Sequence, residues 1–414
     1  SSVFKGAKAD IQAQLTAIRA DLDGSLMDDY GLTDLPAFRA SHKPFHWYVE
    51  FNSVLAGGGF DVIVGNPPYV EYSAVRKEYT IRSYKTVEAG NLYAYTIERS
   101  TAMAGRGTYM GMIIPLSAFC TQRMGSMVQE LRDGFGTNWI SHYGWRPAKL
   151  FDTVNRALSI FISARASSQQ IFTTAYQKWA SDAREYLIPN IGYVQAAITP
   201  STFIIPKYGD AVETDIAAKL WNVGQPLGNL LSRKKTDHRI YYRNTGGLYW
   251  KIITDFQPEF YEGNERTKSS RESYLHFNNA ADVGVALAVL NSNLFWWYYV
   301  AYSNCRDLNP YDLLSFPIGV MSIEIRYQLQ QLSSQLMKDY RTNSIYKERT
   351  HKGKSTVRYQ EFHLRLSKPI IDEIDRVLAR HYGFTDAELD FIIHYDIKYR
   401  MGRDAELDGE GEGE

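Results

Sequence analysis

Asn66-Pro67-Pro68-Tyr69 sets an amide, two prolines and an aromatic ring directly after the short apolar run Asp61-Val62-Ile63-Val64-Gly65. The Asn66 side-chain oxygen and the Pro67 carbonyl are two acceptors able to take both hydrogens of one NH2 group. The prolines fix the backbone, so the acceptors need not be ordered when a ligand arrives. Tyr69 adds a flat face on which a heterocycle can stack. The combination suits holding a planar base by its exocyclic amino group. The same four residues also suit a strand that ends in a proline turn with Tyr69 in the core, so the flanking segments decide between the two.

Those segments alternate in a regular way. Ile11, Leu15, Ile18, Leu22 and Leu26 predict a helix over residues 7–29. A polar stretch to Pro44 and the run Phe45–Phe51 lead into Asp61–Val64, whose β-branched apolar residues predict a buried parallel strand. Residues 70–90 read as a loop, Asn91 to Ala104 as a helix broken by Gly105-Arg106-Gly107, and Tyr109–Pro115 as a buried strand. A helix over 122–134 and strands at Trp139–Tyr143 and Ala157–Ile162 follow. Strand, helix and strand in turn imply an α/β layer with parallel strands. After about residue 165 the chain becomes irregular, aromatic and turn-rich, through Gly246-Gly247-Leu248-Tyr249-Trp250. Residues 322–340 read as a helix, 344–358 as a basic loop, and 368–382 as a helix ending at Gly383. Thr385 and Glu388 form a capping box for one more helix. Asp404–Glu414 is acidic and glycine-rich, as expected of a disordered tail.

A chain of 414 residues has room for two or three domains. Its 46 basic and 46 acidic residues balance, which argues against a uniformly basic nucleic-acid binder and leaves room for a local basic cleft. Arg233-Lys234-Lys235, Arg239 and Arg243, with His238 and interleaved Tyr241 and Tyr242, form the best such cluster. Arg266, Lys268 and Arg271 form a second, and Lys347, Arg349, Lys352, Lys354 and Arg358 a third. No apolar run nears the ~20 residues of a membrane span. Cys120 and Cys305 have neither metal-ligand nor redox spacing, so reduced, packed thiols, no metal site and a cytoplasmic setting are expected.

Asn66-Pro67-Pro68-Tyr69 resembles the catalytic motif of the amino-methyltransferases that methylate the exocyclic nitrogen of adenine in DNA. Asn91-Leu92-Tyr93-Ala94-Tyr95, Tyr109–Phe119 and Lys149–Ala157 resemble later segments of that family, in the same order. Leu290-Asn291-Ser292, Phe316-Pro317-Ile318 and Tyr382-Gly383-Phe384-Thr385 resemble its large restriction-modification or phage-defence members, of type IIG-like build. The resemblance implies an α/β fold. It comprises a helical segment at 1–44, a Rossmann-like parallel-sheet methyltransferase core at 45–189 and a mixed α+β target-recognition domain at 190–320. C-terminal helices at 321–403 and a disordered acidic tail at 404–414 follow.

The resemblance also implies roles. S-adenosylmethionine is the methyl donor and double-stranded DNA the partner, with no membrane. Asn66, Pro67, Pro68 and Tyr69 are catalytic, and Tyr69 and Phe151 stack on a base flipped from the duplex. Asn66 and Tyr95 line the donor pocket, although Leu92 and Tyr95, three apart on a helix, also suit a core face. Arg233, Lys234, Lys235, Arg239 and Arg243 contact DNA. Gly57-Gly58-Gly59 precedes a strand instead of following one, so it does not fit the family's donor-binding glycine loop. The expectation is therefore the C-terminal part of a larger enzyme, partnered by its missing N-terminal part. Two other readings stay open: a methyltransferase of protein glutamine or RNA, and a non-catalytic DNA-binding fragment.

Overall fold

Gly59 turns the chain into the motif strand. Its φ is 107°, and a Cβ there would stand 2.7 Å from the Met103 carbonyl oxygen and the Gly105 nitrogen, so only glycine fits. The computed structural model describes residues 2–197, 203–245, 252–350 and 356–400. The expected tail at 404–414, the turn-rich Gly246–Trp250 and the basic positions Lys352 and Lys354 lie outside these residues. The chain divides into two units. The first comprises Ser1–Ile114, Arg123–Trp139 and Ile160–Gln170; the second comprises Pro115–Gln122, Ile140–Ser159 and Ile171–Glu414.

Six strands, β1 (Phe60–Gly65), β2 (Ala104–Pro115), β3 (Thr137–Tyr143), β4 (Leu158–Ala164), β5 (Gln170–Gln177) and β6 (Val194–Gln195), form a sheet in the order β1-β2-β4-β3-β5-β6. The chain of β3 and β4 runs through both units. The sheet is mixed: β1 and β2 are parallel, β5 and β6 antiparallel.

In the first unit, helix Leu92–Met103 supplies the crossover from β1 to β2 that a parallel pair requires. One face of this pair is packed, with Met110, Met112 and Ile114 buried. The other is open. Val62 pairs with Tyr109 and Val64 with Gly111, and Val62, Val64, Tyr109 and Ile162 are all exposed, Val64 at 80%. The expectation of a buried strand is thus corrected: β1 is parallel as expected, but it ends the sheet order, and Val62 and Val64 face outward while Ile63 between them is half-buried. Helix Ser2–Asp29 likewise leaves Ile11, Ile18 and Leu22 of its apolar stripe exposed. It is held near its end, where the Asp23 carboxylate accepts from Arg39 Nε at 2.6 Å and lies 2.8 Å from His46 Nε2. The expected loop at 70–90 carries short helical turns at Tyr72–Val75 and Val87–Ala89. The Glu98 carboxylate pins it by accepting from the backbone of Lys85 and Thr86 at 3.0 and 2.9 Å.

The second unit is built on two almost wholly buried helices, Ala280–Asn291 and Asn293–Tyr302, which meet at 65°. Ser292 breaks them by capping the second, its hydroxyl accepting from Phe295 N at 3.0 Å. Buried polar groups lock this corner. Asn291 exchanges two hydrogen bonds with the Ile253 backbone (2.9 and 3.1 Å), donates to Leu287 O and accepts from the Tyr340 hydroxyl. The Asp375 carboxylate accepts from Asn293 N and Leu294 N. Burial pushes that carboxyl up to about 6 against those bonds. The Arg400 guanidinium donates to the Asn291 and Ser292 carbonyls at 2.8 and 3.0 Å and to Asn293 Oδ1 at 2.8 Å. Nearby in the unit, Glu213 accepts from Gly209 N (2.7 Å), Asp210 N (3.0 Å) and Trp297 Nε1 (2.8 Å). Burial pushes its carboxyl up to about 7.

Phe316-Pro317-Ile318 and the end of helix Leu364–Tyr382 come together. The Tyr382 hydroxyl donates to the Pro317 carbonyl at 2.6 Å, and Gly383 takes the left-handed cap position (φ 71°). That helix begins four residues before the expected start and carries Pro369 inside it. The expected capping box of Thr385 and Glu388 is formed. Two small antiparallel sheets complete the unit. One joins β7 (Arg239–Arg243), β8 (Ile253–Thr254) and β11 (Glu272–His276) in the order β11-β7-β8; the other joins β9 (Phe260–Glu262), β10 (Glu265–Thr267), β12 (Ile345–Thr350) and β13 (Thr356–Glu361) in the order β10-β9-β13-β12. The expected basic loop at 344–358 is therefore corrected to a strand pair. Charges stand on both of its faces, so no apolar alternation marks it. Arg358 over the rings of Tyr261 (4.3 Å) and Tyr346 (5.4 Å), with Lys347–Glu361 at 2.8 Å, holds it instead. Among the described residues, no single helix is long and apolar enough to cross a membrane. Both cysteines are buried free thiols, and burial pushes the Cys120 thiol up to about 12.

Candidate functional site

Where β1 runs out, Gly65 hands the chain to four residues with different surroundings. Asn66 is exposed, Pro67 is buried, Pro68 is exposed and Tyr69 is half-buried. The Tyr69 hydroxyl donates to the Ile113 carbonyl of β2 at 3.0 Å, which fixes the ring beside the end of the neighbouring strand. Asn66 thus projects from a backbone held by a buried proline before it turns and a pinned tyrosine after it.

A clasp joins this loop to the start of helix Leu92–Met103. Val70 O accepts from Leu92 N and Gly90 O from Tyr72 N, both at 2.9 Å. The Glu71 carboxylate takes both arms of the Arg123 guanidinium and also accepts from Asn91 Nδ2 at 3.2 Å. Hydrogen bonding to Glu71 holds the Arg123 guanidinium above its ordinary value. With Nδ2 turned to a carboxylate, Asn91 Oδ1 points the other way, buried and without a partner. Tyr95 lies one turn on. It is buried, its hydroxyl donates to Val87 O at 3.1 Å, and its ring meets those of Tyr72 and Tyr84 at 6.0 and 5.5 Å. Burial, ahead of Tyr72 and Glu71, raises its pKa. The structure therefore joins the loop that follows Asn66 and Tyr69 to Asn91 and the helix carrying Tyr95. Neither the clasp of Glu71 and Arg123 nor the orphaned Asn91 oxygen was foreseen, because which polar atom lacks a partner is a property of packing.

Phe151 belongs to the second unit. It sits partly exposed in a turn closed by Val154 N donating to Phe151 O at 3.1 Å. A small pocket of about 210 Å³, lined by Lys149, Asp152, Trp179 and Arg184 among others, lies alongside. The Trp179 indole nitrogen is buried without a partner.

Of the basic residues, Arg233, Lys234 and Lys235 are exposed in the segment before β7, and Arg239 and Arg243 lie on β7 itself. β7 and β11 pair as a ribbon with Arg239 opposite His276, Tyr241 opposite Tyr274 and Arg243 opposite Glu272. The alternate positions Ile240 and Tyr242 are buried, so this row faces away from the core. Arg239 stands 5.9 Å and Lys268 5.0 Å from the Tyr274 ring, which joins the first two basic clusters at one exposed tyrosine. Tyr274 and His276 were not singled out in the sequence, although the alternation of Glu272-Ser273-Tyr274-Leu275-His276 marks them as one face. Among the described residues, no group of three or more His, Cys, Asp or Glu side chains is placed to hold a metal.

Residues 13–141 match the family described as Eco57I restriction-modification methylase. The match covers the motif loop, the clasp and the helix behind it. Over 89 residues the chain is 33% identical to a Methanocaldococcus jannaschii protein named as a type II restriction enzyme and methyltransferase. That stretch is 22% of this chain and 8% of the relative, so the chain spans only a small part of the methylase relative. Among solved structures, the type IIL restriction-modification enzyme MmeI in complex with DNA is 10% identical, with a TM-score of 0.39 over 82% of this chain and 57% of that one. The type ISP restriction-modification enzyme LlaGI with a DNA substrate mimic is also 10% identical, with a TM-score of 0.37 over 72% of this chain and 46% of that one.

Proposed function

We propose that the chain is the motif-bearing part of a site-specific DNA methyltransferase of a restriction-modification or phage-defence system. It moves a methyl group from S-adenosylmethionine to the exocyclic N6 of an adenine flipped out of duplex DNA. The observation that carries this reading is Asn66, an exposed amide on a backbone fixed by Pro67 and Tyr69 and lying within the methylase match.

The donor supplies an electrophilic methyl on a sulfonium. Everything else is positioning. Asn66 Oδ1 and the Pro67 carbonyl accept the two amino hydrogens, which draws the nitrogen lone pair out of the ring and into line. No strong base is required before attack, because the nitrogen loses its proton once it carries positive charge. Tyr69 offers its face to the base. Asn66, Asn91 and Tyr95 are the residues that would hold the donor. The buried, partnerless Asn91 Oδ1 fits this role, since a donor amino group would satisfy it. Arg233, Lys234, Lys235, Arg239 and Arg243 contact the duplex, within a target-recognition region at 190–320, and a DNA substrate places the protein in the cytoplasm. The open face and free edge of β1 support a further partner, the N-terminal part of the same enzyme. Parallel sheets are stable when covered on both faces, and Val62, Val64, Tyr109 and Ile162 await that cover.

Transfer of labelled methyl to duplex DNA, measured with the upstream part restored, tests the assignment. Asn66→Ala should lower transfer by at least about a hundredfold while duplex affinity stays within about twofold. Retained transfer would remove the motif from the chemistry.

A further inference from the structure

We infer that the outward face of the β7–β11 ribbon is the element that reads bases in a DNA groove, with Tyr274 and Lys268 as working members beside Arg239 and Arg243. This rests on the DNA reading above and deepens it, by separating the residues that choose a sequence from those that only hold the backbone. Three observations carry it. The ribbon alternates cleanly: Ile240 and Tyr242 are in the core, while Arg239, Tyr241 and Arg243 share the opposite face with His276, Tyr274 and Glu272. β8, the third strand of this sheet, adds only the buried pair Ile253–Thr254, so the exposed row rests on two strands, a width that the major groove admits. The charge is concentrated as well. Segments 233–243 and 266–276 hold eight cations against two carboxylates, Asp237 and Glu272, in a chain whose total charge is zero. A polyanion is the occupant that this imbalance favours.

The third observation is how the face is held. Arg239 Nε donates to the Thr236 carbonyl at 3.0 Å, and its guanidinium lies over Tyr274, with Asp237 at 3.5 Å. Lys268 sits over the same ring. Tyr274 is 41% exposed and orders two cations that would otherwise sample many rotamers. Glu272, facing Arg243 across the ribbon, adds an acceptor on the same face, and its hydrogen bond from Gln257 at 2.9 Å keeps it in place. Burial raises the Glu272 pKa. Donors and an acceptor on one rigid face can distinguish base edges, whereas Arg233, Lys234 and Lys235 lie outside the ribbon pairing and supply charge alone.

The test is selection by the full chain from a pool of random-sequence duplexes, with affinity for the selected and a scrambled duplex then measured against salt. The wild-type chain should enrich a defined sequence. Arg239→Ala and Tyr274→Ala should lower the ratio of selected to scrambled affinity by about tenfold or more, and Tyr274→Phe, which keeps the ring, should retain most of it. Arg233→Ala and Lys235→Ala should weaken both duplexes equally and reduce the salt slope by about 1 each. If Arg239→Ala and Tyr274→Ala keep the wild-type ratio, the ribbon is not the reader although DNA binding stands. If the wild-type chain binds no duplex at any salt, the DNA reading itself falls, and the ribbon assignment with it.

Discussion

At the scale of single residues, the motif is positioned by its neighbours. Asn66 has one job in the proposed chemistry, but its placement depends on Tyr69 tied to Ile113 O and on Glu71 tied to Arg123 and Asn91. The Glu71–Arg123 pair is about half exposed, so breaking it should cost under about 1 kcal/mol of stability. Its effect on geometry should be larger. Arg123→Ala is expected to leave the urea midpoint nearly unchanged while lowering methyl transfer by about tenfold or more, since small misplacements of a reacting pair are expensive. Full transfer by Arg123→Ala would show that the clasp is only a surface pair. Asn66, Pro67 and Tyr69 could be singled out in the sequence because an amide, a proline and an aromatic in a row suggest one chemistry. Asn91 could not be assigned in the same way. Its functional claim comes from an oxygen left without a partner, and partner counts exist only once the helix start and the Glu71 loop have been placed.

At the scale of elements, regular helices were legible and the small sheets were not. Helix Ile323–Asn343 and the helix capped by Thr385 match their apolar period and capping residues. β12 and β13 went unseen because Tyr346, Lys347, Glu348 and Arg349 give no in-and-out contrast, and their pairing depends on Tyr261, far away in the chain. β1 shows the converse. Its composition is that of a strand covered on both sides, yet Val62 and Val64 are open, because composition records what a strand suits and not what is present to cover it. The corner between helices Ala280–Asn291 and Asn293–Tyr302 makes a sharp test of element packing. Asn291→Ala would strand the Ile253 N–H and carbonyl, and remove the acceptor of the Tyr340 hydroxyl. Urea unfolding should show a loss of about 3 kcal/mol or more. A loss under about 1 kcal/mol would mean that the corner is held by its apolar contacts alone.

Across the whole molecule, two balances matter. Formal charge cancels over 414 residues, but segments 233–243 and 266–276 hold eight Lys and Arg against two carboxylates, so a local imbalance invisible in the total is plain in the placement. Protonation forms the second balance. Glu213 has a folded-state value of about 7, above its ordinary 4.5, so the folded chain holds that proton more tightly than the unfolded chain does. Its contribution to stability is therefore full below the unfolded value and is lost as pH rises through about 7. Glu213→Gln keeps an acceptor for Trp297 but cannot titrate, so its urea midpoint should vary less than the wild type's between about pH 5 and about pH 7. Equal slopes for the two proteins would show that the group does not titrate in that range.

Arg400 has a practical consequence for anyone reshaping this chain. A guanidinium that fastens two carbonyls and an amide oxygen at the central helix corner makes the far end of the described chain part of the core. Shortening the protein back past that arginine would not trim a dispensable end. It would pull a pin from the middle of the second unit, so deletions and fusion joints belong beyond residue 400, however peripheral that position looks in the linear sequence.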